Sequence, residues 1–208
     1  LNAFAPALRT AVIETLIEIA GQCDGVRCDM AMLVMNDVFV RTWGDRVGPA
    51  PSTDYWPTVI PAVREAHPSF LFLAEAYWDL EWSLQQQGFD YCYDKRLYDR
   101  ILHGPAEQVR LHLLADDDYQ QRLVRFVENH DEPRAVSAFG ANRSQVAAVA
   151  ALTQTGARLV HNGQIEGATV HLPVFLGRYP DEPTDSALLG FYHSLLHALA
   201  DPTFRDGR

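Results

Sequence analysis

Cysteine is scarce in this chain of 208 residues, which has three: Cys23, Cys28 and Cys92. An odd count without CxxC spacing argues against a disulfide framework or a cysteine-built zinc site and favours a reducing, cytoplasmic compartment. Basic residues are also few, 17 Lys and Arg against 27 Asp and Glu, for a formal charge of −10. Nucleic acid and anionic membranes reward a basic face, so neither is an expected partner, and a neutral ligand fits better. No run approaches the roughly 20 apolar residues of a membrane span. Residues 3–20 are amphipathic in the manner of a helix packed on a core, not of a signal segment. Short-period repeats, low-complexity tracts and an internal linker are missing too, so residues 1–208 read as one structural unit.

What is present is a hydrophobic content of 48% with 21% charged residues, enough apolar material for a sizeable core. Leu8, Val12, Leu16 and Ile19 follow a helical period that Gly21 can stop. Val26-Arg-Cys-Asp29 reads as a strand, and residues 30–40 read as a helix. Asp54 can cap a helix over 55–66, which Pro57 and Pro61 should make irregular. Phe70-Leu-Phe-Leu-Ala74 is a continuous apolar run, as in a strand covered on both faces of a parallel sheet. A short helix over 79–87 and a strand over 89–93 follow, then helices over 95–102 and 106–114 and a strand over 123–127. Asn142 can cap a helix over 146–152, residues 157–160 read as a strand, and 173–185, with Gly177, Pro180 and Pro183, as a loop before a helix over 186–200. Strands alternating with helices predict an α/β fold.

Three apolar runs deliver an acid to their last position: Gly25-Val-Arg-Cys-Asp29, Phe70-Leu-Phe-Leu-Ala-Glu75 and Phe126-Val-Glu-Asn-His-Asp131. In α/β barrels the reactive groups sit at the carboxyl ends of parallel strands, so Asp29, Glu75 and Asp131 are candidates for one site. Arg27, two residues before Asp29, falls on the same side of a strand and can hold that carboxylate by charge and hydrogen bonding. Cys28 alternates with both and is expected to pack outward under a helix.

Gly-Val-Arg-Cys-Asp (25–29), Ala-Glu-Ala-Tyr (74–77) and Val-Glu-Asn-His-Asp (127–131), in this order, resemble the strand-4, strand-5 and strand-7 signatures of the α-amylase family, glycoside hydrolase family 13. The resemblance implies a (β/α)8 TIM barrel, here a partial barrel from about strand 4 to helix 8 with one helix before it, since a complete barrel takes about 250 residues. It implies that 1–208 is part of a catalytic domain whose strands 1–3 and C-terminal β domain lie outside the chain. It further implies a retaining glycosidase acting on α-linked glucans or oligosaccharides through a covalent glycosyl-enzyme intermediate. In that scheme Asp29 is the nucleophile, Glu75 the general acid/base and Asp131 the third carboxylate, with Arg27 and His130 binding substrate. Tyr77 and Trp78 are candidate platforms for sugar rings. Trp43, Trp56 and Glu166 are expected on loops without an assigned role, and His67, His103, His112, His193 and His197 as packed or solvent-facing residues.

Two departures bear on specificity. Where many family members carry Lys-His after the nucleophile, this chain has Met32 and Leu33, which leaves the acceptor side open. The strand-3 motif, which in the family supplies a sugar-binding His and often a calcium ligand, is missing, so no cofactor is assignable from this chain and calcium is left open for the full-length protein. α-Glucan transglycosylation and a non-catalytic carbohydrate-binding fragment are the alternatives. A divalent-metal hydrolase is disfavoured because Arg27 already stands beside Asp29 and no HExxH or paired-His spacing occurs. A half barrel would also expose raw sheet edges, which predicts self-association when it is alone.

Overall fold

The computed structural model describes residues 1–173, 175, 178 and 180–206; Gly177 of the expected loop lies outside the described residues. The chain divides into two compact units, Leu1–Tyr93 and Asp94–Arg208.

The first unit runs α1 (Pro6–Ala20), β1 (Gly25–Cys28), α2 (Asn36–Trp43), α3 (Tyr55–Ala66), β2 (Leu71–Ala74), α4 (Glu81–Gln86) and β3 (Tyr91–Tyr93). Its strands pair in parallel in sequence order, Gly25 opposite Leu71 and Cys28 opposite Ala74, then Leu73 opposite Tyr91. Parallel pairing follows from the helices that carry the chain back between strands. Asp54 caps α3 as expected, accepting from the Tyr55 amide at 2.6 Å. Pro61 sits inside this helix without ending it. The single helix expected over 30–40 is instead a 3-10 turn at Ala31–Val34 followed by α2, because Met35 at φ −58°, ψ 138° interrupts the helical path.

The two faces of β1 and β2 differ. Phe72 and Ala74 are fully buried, Phe72 edge-on to Phe89 at 6.4 Å and beneath the Arg64 guanidinium of α3, and Val59, Ile60 and Leu84 of the helices are buried as well. Trp56 joins that core edge-on to Phe89 at 4.8 Å and donates its indole N–H to the Ala31 carbonyl at 2.8 Å, so it is a helical core residue and not a loop residue. Trp43 likewise ends α2, packed against Phe39. On the opposite face Leu71 is 46% exposed and Leu73 half-buried, which corrects the expectation of a strand covered on both sides. That open face carries Arg27, the register partner of Leu73.

The second unit runs α5 (Lys95–His103), α6 (Ala106–Leu113), α7 (Asp117–Gln120), β4 (Leu123–Arg125), α8 (Ala135–Phe139), α9 (Ala141–Leu152), β5 (Ala157–Arg158), α10 (Ser186–Leu199) and α11 (Thr203–Asp206). β4 and β5 pair in parallel, Val124 opposite Ala157. Asn142 lies within the first turn of α9 and does not cap it; the turn into the helix is made by Gly140 at φ 79°, a conformation that glycine adopts without Cβ strain. Leu123, Phe126, Leu97, Tyr98, Ala148 and Leu152 are buried together, with Tyr98 stacked on Phe126 at 5.6 Å. No helix among the described residues is long and apolar enough to cross a membrane.

Candidate active site

In the first unit, Asp29 and Glu75 each stand one residue beyond the carboxyl end of adjacent parallel strands. Their side of the sheet is the open one, since both follow Arg27 and Leu73 by two residues. One guanidinium holds both acids: Arg27 Nη2 lies 2.9 Å from Glu75 Oε1, and Nη1 is ion-paired with Asp29 Oδ1. The Arg27 side chain also lies over the Tyr93 ring, 5.6 Å from its centroid. Burial pulls the Arg27 pKa down, the hydrogen bond with Asp29 and the carboxylate of Glu75 push it up, and the net shift is upward.

The two acids differ in access. The Asp29 side chain is 77% exposed and that of Glu75 5%. Glu75 Oε2 accepts from the Met30 amide at 2.7 Å, and Oε1 also accepts from the Tyr77 hydroxyl at 3.4 Å. Tyr77 is therefore half-buried beside the acid, whereas Trp78 is 61% exposed. Among the described residues, three non-glycine residues have positive φ, Met30, Trp78 and Asp79, and all lie within four positions of Asp29 or Glu75. Left-handed backbone at such residues is uncommon and concentrates at functional sites. Cys28 faces away from the acids, on the helix-covered side with Phe72 and Ala74, and burial pushes its thiol up to about 12.

In the second unit, Asn129 Oδ1 accepts from the amides of Asp131 and Glu132, both at 2.9 Å, folding the segment after β4 into a side-chain-stabilised turn. That turn presents His130 and Asp131, 43% and 41% exposed, with Nε2 and Oδ2 3.1 Å apart. Beneath it lies a cluster that reading the strand ends missed. Buried Glu128 accepts from Arg134 Nη1 at 2.8 Å and from the Ala135 amide at 2.6 Å, and its Oε1 lies 3.0 Å from His161 Nδ1. Arg134 also donates to the carbonyls of Val170 and Asn162. A second buried network joins Asp94 to Arg125 and, at 2.9 Å, to His112. The signal for Glu128 was its place in the same pentapeptide as His130, and for Asp94 its place after the aromatic strand. Glu166 lines a cavity of about 330 Å³ with Asn162, Asp181 and Glu182. Among the described residues no group of three or more His, Cys, Asp or Glu is arranged to hold a metal ion.

No protein-family model matches the chain, and no curated protein matches it in sequence. Solved structures do match. The cyclic α-maltosyl-(1→6)-maltose hydrolase of Arthrobacter globiformis superposes with a TM-score of 0.78 at 18% identity, over 100% of this chain and 47% of that one. The Nostoc punctiforme debranching enzyme gives 0.74 at 16% identity, over 98% and 46%. An α-amylase from Lactobacillus plantarum gives 0.65 at 23% identity, over 98% and 50%. The chain thus spans about half the length of the structures it matches, and its fold is that of a partial (β/α)8 barrel.

Proposed function

We propose that this chain is the second half of the catalytic barrel of a retaining α-glycosidase acting on α-linked glucans. Asp29 attacks the anomeric carbon, Glu75 protonates the leaving oxygen and then activates water, and Asp131 with His130 binds sugar hydroxyls. The observation that carries this reading is the Arg27 bridge: two carboxyl groups from adjacent strand ends share one guanidinium, one open to solvent and one buried. An exposed carboxylate paired with a cation suits a nucleophile. A buried carboxyl group with defined hydrogen-bond partners suits proton transfer. Substrate class comes from the matched structures: the A. globiformis enzyme was solved with maltose and with its cyclic maltosyl substrate. Trp78 is exposed enough for a pyranose ring to stack on it.

Turnover of a maltooligosaccharide by the chain and by its Glu75→Gln variant tests this reading, with the first-formed anomer followed by NMR. The expected result is α-anomer from the parent and a loss of roughly a hundredfold or more in the variant. Release of β-anomer overturns the mechanism. The openness of Asp29 favours a second reading, a chain that binds sugar without turnover; sugar binding with no product from a folded parent would select it.

A further inference from the structure

We infer that the left-handed turn at Met30 is a positioning device for Glu75, acting through the Met30 backbone amide; this rests on the acid/base role proposed for Glu75. The register of β1 and β2 places Cys28 opposite Ala74, and the Glu75 amide donates to the Cys28 carbonyl at 3.0 Å. In a regular parallel ladder the next bond would run from the Met30 amide to the Glu75 carbonyl. Instead the Ala31 amide takes that carbonyl, at 3.1 Å. Met30, at φ 43° and ψ 49°, is the extra residue of a bulge, and its N–H is turned to the Glu75 side chain, 2.7 Å from Oε2. Bulges of this kind redirect groups beside active sites.

Residues 28–31 thereby hold Glu75 at three points: its amide, its carbonyl and one carboxylate oxygen. Arg27 and Tyr77 occupy the other oxygen. An amide on Oε2 fixes the plane of the carboxyl group and so the direction in which Oε1 meets a leaving oxygen. A side chain at position 30 is not needed for this; the backbone conformation is. Glycine adopts the left-handed region freely, while a β-branched residue resists it.

Two measurements test the inference. In amide hydrogen exchange, the Met30 N–H is expected to be protected in the parent and to lose about tenfold or more of that protection in Glu75→Leu but not in Glu75→Gln, which keeps an acceptor oxygen. Exchange at Met30 that is fast, or indifferent to both substitutions, overturns the inference whether or not the chain is active. In turnover, Met30→Val is expected to lose roughly tenfold to a hundredfold on a maltooligosaccharide while staying within about threefold of the parent in fluoride release from α-maltosyl fluoride with azide as acceptor, where neither a leaving-group proton nor a general base is needed; Met30→Gly should behave as the parent on both. Equal losses on the two substrates would mean a merely structural role for the turn and overturn the inference. A parent inactive on both contradicts the proposed function of this chain and leaves the exchange measurement to decide the Met30 bond.

Discussion

Arg27 meets both acids of the first unit, so its substitution separates charge from geometry. Lysine keeps the charge but has no planar fork to span Glu75 Oε1 and Asp29 Oδ1 together. Arg27→Lys is expected to lower kcat for a maltooligosaccharide by roughly tenfold to a thousandfold, with the melting temperature within a few degrees of the parent. A variant with parental kcat would remove the bridge from the mechanism. Cys28 offers a test by pH. Its thiol is pushed up to about 12 in the folded chain, from an ordinary value of 9.0, because burial penalises the thiolate. The unfolded chain therefore ionises first, and the stabilising preference for the neutral thiol is intact below pH 9 and lost as pH rises toward 12. Denaturation from pH 8 to 11 should show stability falling more steeply in the parent than in Cys28→Ala; parallel curves would contradict this burial.

At the scale of elements, the most consequential contacts tie loops to strands. Asp94 caps α5 through the Leu97 amide at 3.0 Å while pairing with fully buried Arg125 of β4 and with His112 of α6. Burial lowers the Arg125 pKa to about 10, a measure of how poorly the cation is solvated there. Asp94→Ala strands that cation and removes the cap, and is expected to cost about 3–5 kcal/mol in chemical denaturation; a loss under about 1 kcal/mol would show the network to be dispensable. Neither this network nor the Glu128–Arg134–His161 cluster was legible in the sequence, because each joins residues far apart along the chain and depends on which way a buried side chain points. Two strand ends were legible, since an apolar run that stops at a charge marks a strand and Asp29 and Glu75 each stand one residue beyond theirs, whereas β4 ends at Arg125 and Asp131 follows it on a turn. Helix starts were read where the capping residue bonds locally, as at Asp54. Position 142 misled because a helix N-terminus can also be set by a left-handed glycine, here Gly140, two residues earlier, and the bulge at Met30 left no compositional trace.

For the whole molecule, the open face of the first unit is the main liability. β1 has β2 on one side, and among the described residues no strand pairs with its other edge; Leu71 beside it is 46% exposed. Unpaired edges recruit further strands, so the chain on its own is expected to self-associate, seen as concentration-dependent sedimentation at micromolar levels. A monomer with a sharp cooperative melt would count against that. In the proposed scheme this chain nonetheless carries the bond-making pair, since Asp29, Glu75 and their shared Arg27 all come from two adjacent strands. The most direct measurement of that claim is to trap the covalent intermediate with a slowly turned-over 5-fluoro-α-glucosyl fluoride and locate the label by peptide mass spectrometry. One glycosyl group on the peptide bearing Asp29, absent from Asp29→Asn, is the expected result. A label on any other residue, or glucan turnover that survives Asp29→Asn, would contradict it.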